Sequence, residues 1–129
     1  MTSEIRVDNL KGSTTSGSIN VLGEGTSNTT NLQQGLAKHW VRLNGTGTIA
    51  VIDGVNNSSL TDDGTGDHDA NLTNAFSNTG YATQFSSGQF HSTDGDNQST
   101  SQYNIETYNS SHSAADVARV SMCAWGDLA

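Results

Sequence analysis

The sequence predicts an all-β fold: a small antiparallel β-sandwich or barrel-like module over residues 31–129, preceded by an extended N-terminal arm over residues 1–30. Two observations predict it. Short runs rich in Val, Ile, Thr and aromatic residues alternate with a period of two, the spacing at which a pleated strand presents one face to a core. Between them lie Asn-Gly and Asp-Gly turn signals, at intervals that give about seven strands in the compact arrangement of a sandwich or barrel. At 129 residues the chain has the size of one ordinary domain.

The arm holds two short alternating segments, Glu4-Ile5-Arg6-Val7 and Ser18-Ile19-Asn20-Val21-Leu22. Between them runs Lys11-Gly12-Ser13-Thr14-Thr15-Ser16-Gly17, a composition that favours turns. An isolated two-stranded unit with so few apolar side chains is marginal in water. The arm must therefore borrow a surface, and Ile5, Val7, Leu10, Ile19 and Val21 are its candidate attachment residues. Residues 23–30 read as a loop or stalk. Beyond them Leu32, Leu36 and Trp40 recur at i, i+4 and i+8 behind a candidate N-cap, Asn31, and predict a short helical turn.

From Lys38 onward the signals are those of strands and tight turns. His39-Trp40-Val41-Arg42-Leu43 leads into Asn44-Gly45, the dipeptide of type I′ hairpins, in which both central residues need positive φ. The return strand Thr48-Ile49-Ala50-Val51-Ile52 is apolar on both faces, which predicts a central buried strand. A second hairpin is signalled over residues 59–66 and continues as a half-polar strand toward Leu72 and Phe76. Tyr81-Ala82-Thr83-Gln84-Phe85 and Gln102-Tyr103-Asn104-Ile105-Glu106-Thr107 alternate, with Asp94-Gly95 in the polar connection between them. The last strand is Val117-Ala118-Arg119-Val120-Ser121-Met122-Cys123-Ala124-Trp125.

Composition narrows the function classes. Only 32% of residues are hydrophobic and 14% charged. A monomer of this kind has little apolar area to set against a backbone entropy of about 1–2 kcal/mol per residue. Neighbouring copies are thus expected to complete the core. The net charge is −8, and the five basic residues, Arg6, Lys11, Lys38, Arg42 and Arg119, are scattered. Neither nucleic acid nor an anionic membrane is therefore an expected partner, since both reward clustered Lys and Arg. No stretch has the length of a membrane-spanning helix, and the N-terminus lacks the basic and apolar regions of a signal peptide, so synthesis without export is expected. The single Cys123 rules out an intrachain disulfide and reads as a small core residue.

The candidate chemistry is sparse. Asp62-Asp63-Gly64-Thr65-Gly66-Asp67-His68-Asp69 gathers carboxylates as calcium loops do, but lacks EF-hand spacing and a distal bidentate Glu. As a hairpin turn it needs no metal, and neither metal nor cofactor is expected. His39, His68, His91 and His112 show no zinc-site spacing and are expected on the surface or in loops. No Gly-x-Ser-x-Gly elbow, Ser-x-x-Lys pair or phosphate loop occurs, so no catalytic residue is assigned and an enzyme is not expected. Among the aromatics, Trp40, Phe76, Tyr81, Phe85, Tyr103 and Trp125 are assigned to the core or a subunit interface. Phe90 and Tyr108 lie beside polar loops, where a ring can stack on a sugar. With His91 and His112 they form the candidate receptor-facing set, on loops 89–99 and 109–113.

The run Gly35-Leu36-Ala37-Lys38-His39-Trp40-Val41-Arg42-Leu43-Asn44-Gly45-Thr46-Gly47-Thr48-Ile49-Ala50-Val51-Ile52 resembles a module of tail-fibre-like and other virion proteins of marine bacteriophages. There a GLAKAW run precedes an apolar strand, a GTGT turn and a second apolar strand. The likeness continues through Asn57-Ser58-Ser59-Leu60-Thr61-Asp62-Asp63-Gly64-Thr65-Gly66-Asp67 and in Val120-Ser121-Met122-Cys123-Ala124-Trp125-Gly126-Asp127, covering about residues 32–129. It departs at His68 and Ala70, where the module carries larger aromatic or β-branched residues. The resemblance implies a structural phage protein, commonly trimeric, without catalytic residues. The resulting expectation is a virion subunit assembled in the bacterial cytoplasm: a short homotrimeric fibre, knob or capsid decoration joined by its arm to a capsid or tail protein. The alternative is a fibre-tip module that recognises a host surface glycan.

Overall fold

The computed structural model describes residues 4–13, 18–23, 25, 27–92 and 98–129; residues 14–17 of the turn expected at 11–17 and the Asp94-Gly95 turn lie outside the described residues. The protein is all-β, and the chain divides into two compact units, Met1–Leu36 and Ala37–Ala129.

In the first unit, strand β1 (Asn20–Leu22) pairs antiparallel with β2 (Thr29–Asn31), bringing Val21 opposite Thr30. Thr29 and Thr30 thus belong to a strand and not to a stalk. Gly25, at φ +69, lies in the connecting turn, and the Gly23 N–H donates to the Asn28 carbonyl. The helical turn α1 (Leu32–Gly35) follows, with the Asn31 side chain accepting from the Gln34 N–H at 3.1 Å. It stops before Leu36 and never reaches Trp40. Glu4 to Val7 form no strand; the Arg6 guanidinium instead bonds the Glu4 carboxylate. No described residue of this unit is buried.

The second unit is a sandwich of two four-stranded antiparallel sheets. One has the order β4-β3-β10-β7, from β3 (His39–Asn44), β4 (Ala50–Val55), β7 (Ala82–Ser87) and β10 (Val120–Trp125). The other has the order β5-β6-β9-β8, from β5 (Asn57–Gly64), β6 (Asp67–Leu72), β8 (Phe90–Ser92) and β9 (Gln102–Tyr108). The chain passes from β4 into the opposite sheet through one residue, Asn56, at φ +61. Asn tolerates the left-handed region better than most residues, and here its amide also accepts from the Asn74 N–H at 2.7 Å and donates to the Asn74 carbonyl.

Alternation along the central strands fills the space between the sheets. Val41 and Leu43 of β3 meet Val120, Met122 and Ala124 of β10 from one side, with Ala70, Leu72, Tyr103 and Ile105 facing them, all buried. Each such large apolar side chain contributes about 1.5–3 kcal/mol by leaving water. Phe76 stacks on Tyr81 (4.2 Å between centroids), and Tyr81 and Phe85 meet Tyr103 edge-on. Ala70 sits directly across from Tyr103, so its small side chain leaves room where the ring stands.

Three expectations are corrected here. The strand read as central, β4, is an edge strand whose neighbour among the described residues is β3, and Val51, Ile52 and Val55 are about half exposed. Asn44-Gly45 is not a type I′ turn: Gly47, not Gly45, has positive φ, and the Gly45 N–H donates to Val117. Gly45 is needed for contact rather than for a turn, since a Cβ there would lie 2.6 Å from His68 Nε2. Cys123 alternates to the outer face between Trp40 and Gln84, half-buried rather than in the core.

Candidate functional site

His39 and His68 are fully buried, against the expectation that all four histidines lie on the surface or in loops. Both occupy inward positions of central strands, which single-sequence spacing does not register. His39 Nδ1 accepts from the Tyr103 hydroxyl at 2.5 Å and Nε2–H donates to Asn57 Oδ1 at 3.2 Å. Burial holds the His39 imidazolium form below its usual range, with the Asn57 bond opposing, and burial pushes the Tyr103 hydroxyl up. A neutral imidazole that is fully bonded is a structural tie between the sheets. His68, facing inward on β6, has neither ring nitrogen paired among the described residues.

Asp63 and Asp67 lie near enough to Asp69 to raise its carboxyl, but the acidic cluster forms no metal-binding group among the described residues. Alternation on β6 sends His68 inward and puts Asp67 and Asp69 on the outer face, where Asn104 donates to Asp67 and Gln102 Nε2 donates to Asp69 at 3.0 Å. Asp62 accepts the Gly64 N–H within its own turn. Among the described residues no group of three or more His, Cys, Asp or Glu side chains could hold a metal ion.

The receptor-facing candidates are brought together at one end of the second sheet, with one exception. Phe90 and Tyr108 are cross-strand partners on β8 and β9. His112 reaches them from the 109–113 turn, its ring stacked on Phe90 at 4.7 Å and 21°. That turn is wound on Asn109, whose Oδ1 accepts from the Ser111 and Ser113 N–H groups, and it holds His112 at φ +57. A non-glycine residue in that region is uncommon and costs of order 1 kcal/mol or more, which the surrounding bonds must offset. The Tyr108 hydroxyl donates to Glu106 Oε2, and Ser92 donates to the same oxygen at 3.1 Å. Beside the stack is an open cleft of about 400 Å³ lined by Gln89, Phe90 and Ser110. Phe90 remains 52% exposed beside that stack. His91, alternating to the other side of β8, does not join the group.

The attachment candidates Ile5, Val7, Leu10 and Val21 are exposed, and Ile19 is half-buried with its carbonyl accepting from the Leu32 N–H. Two residues read as scattered, Arg42 and Arg119, line one cleft with Ser86, Ser87, Gly88 and Ser121. The sequence held no signal for this, because their approach depends on β3 pairing with β10. Among the described residues no helix is long and apolar enough to cross a membrane. Compared with known proteins, the chain matches no family model, no curated protein and no solved structure.

Proposed function

We propose that the protein is a non-enzymatic structural subunit of a bacteriophage particle, a short oligomeric fibre or decoration protein whose N-terminal arm attaches it to a capsid or tail component. The observation that carries this reading is the contrast between the two units. The first has no buried residue among those described and presents Ile5, Val7, Leu10, Val21 and Leu22 to solvent, while the buried described residues lie in the second. An apolar segment without a core of its own is stabilised by a surface supplied from elsewhere, and short strands are suited to edge pairing with a partner sheet. The resemblance of residues 32–129 to the tail-fibre-like module supports the same reading. Deleting residues 1–36 is expected to leave a folded β-sandwich that no longer joins particles; a truncated protein that assembles at full occupancy would remove the basis for the arm.

A second reading, recognition of a host surface glycan, is favoured by the Phe90–His112 stack and its adjoining cleft. An exposed ring held by a strained loop on a rigid sheet is a fitting platform for the C–H face of a sugar.

A further inference from the structure

Arg42 and Arg119 are two of only five basic residues in a chain with thirteen acidic ones, yet both open onto one cleft. The register explains their meeting. Ser121 of β10 is paired with Arg42 of β3 on one side and with Ser86 of β7 on the other, so the three form a row across the outer face. Arg119 precedes Ser121 by two positions, just before β10, and lines the same cleft as Arg42. The remaining lining is Ser87 and Gly88, in an open volume of about 490 Å³. Asp53, the partner of Arg42 on β4, turns its carboxylate to the Gly54 N–H at 2.8 Å. Among the described residues neither guanidinium is in an ion pair.

Unpaired guanidinium forks flanked by hydroxyls have the geometry for a planar or tetrahedral oxyanion, bound by charge-assisted hydrogen bonds. The cleft and the one beside Phe90 share the β7–β8 turn. Gly88 lines the one, and Gln89 and Phe90 line the other, so the β7–β8 turn separates them by no more than about 7 Å of chain. We propose that the Arg42–Arg119 cleft binds the carboxylate or sulfate of an acidic saccharide whose neighbouring sugar reaches Phe90 across that turn. The proposal rests on the glycan-recognition reading and narrows it to anionic glycans.

The test is an NMR titration of the isotopically labelled full-length protein with inorganic sulfate, glucuronate, an oligoglucuronate and glucose at low ionic strength. Sulfate and glucuronate are expected to shift the Ser86, Ser87, Gly88 and Ser121 amides saturably, with dissociation constants on the order of millimolar, while glucose does not. Arg42→Gln and Arg119→Gln should each weaken binding about tenfold, the loss of one charge-assisted contact. Both side chains are exposed and unpaired, so the melting temperature should hold; Arg42→Lys, which keeps the charge but not the fork, should fall between. Phe90→Ser should weaken the oligoglucuronate and leave sulfate unchanged. Equal shifts with glucose, or undiminished binding in the double Gln variant, would overturn the proposal. Oligoglucuronate binding that needs Phe90 but neither arginine would overturn the cleft and leave glycan recognition standing. Sulfate binding without any glucuronate binding would reduce the cleft to an adventitious anion site.

Discussion

Asp69 is only 3% exposed, with Oδ2 held by Gln102 and Oδ1 unpaired among the described residues. Burial, with the Asp63 carboxylate beside it and Asp67 further off, pushes its carboxyl up from the usual 3.8 to about 6. A raised carboxyl favours folding while protonated: its contribution is complete below about 3.8 and is lost as pH rises through about 6. At neutral pH the charge is therefore a burden. Asp69→Asn removes it, keeps the shape, and supplies a donor toward Asp63. The expected outcome in thermal melts is a higher midpoint at pH 7 and a flatter profile between pH 4 and 6, at about 4–8 °C per kcal/mol for a domain this size. A variant that melts lower at pH 7 would show that the carboxylate is held more favourably than its burial implies. His39 acts in the opposite sense. Its lowered pKa means that its contribution is present above the usual 6.5 and is lost as pH falls below that value.

At the scale of elements, β4 is where apolar pattern and burial part company. A strand apolar on both faces is expected in the middle of a sheet, yet among the described residues β4 pairs with β3 alone and leaves an edge open beside Val51, Ile52 and Val55. A bulge against Arg42 and Leu43 breaks the alternation, pairing Leu43 with Val51 and leaving Ile52 out of the register. An exposed apolar edge is a template for pairing with another chain unless something covers it, and the expected oligomer is a natural cover. Changing Val51 and Ile52 together to Thr should cost the isolated domain little, about 0.5 kcal/mol or less for each surface site, while shifting the native mass at micromolar concentration to that of a monomer. An unchanged oligomer would place the contact elsewhere.

At the scale of the molecule, the two units carry very different shares of the stabilisation. Among the described residues, the buried apolar side chains, from Val41 to Ala124, belong to Ala37–Ala129. Residues 37–129 alone should therefore unfold cooperatively, with a midpoint within a few degrees of the full chain; differential scanning calorimetry would decide, and a broad or strongly lowered transition would show that the first unit supports the sandwich. The all-β class, the N-cap at Asn31, the Asp-Gly hairpin between β5 and β6 and the exposure of Phe90 were all legible in the sequence. These depend on residues within a few positions of one another, where period-two alternation and turn chemistry act directly. Tertiary structure alone decided that β4 is an edge, that His39 and His68 are buried, that His112 stacks on Phe90 and that Arg42 meets Arg119. Each of these depends on which distant strands pair and in what register, as when Trp40 comes to lie opposite Cys123. A one-residue change of register would reverse every face, and local composition carries no record of that choice.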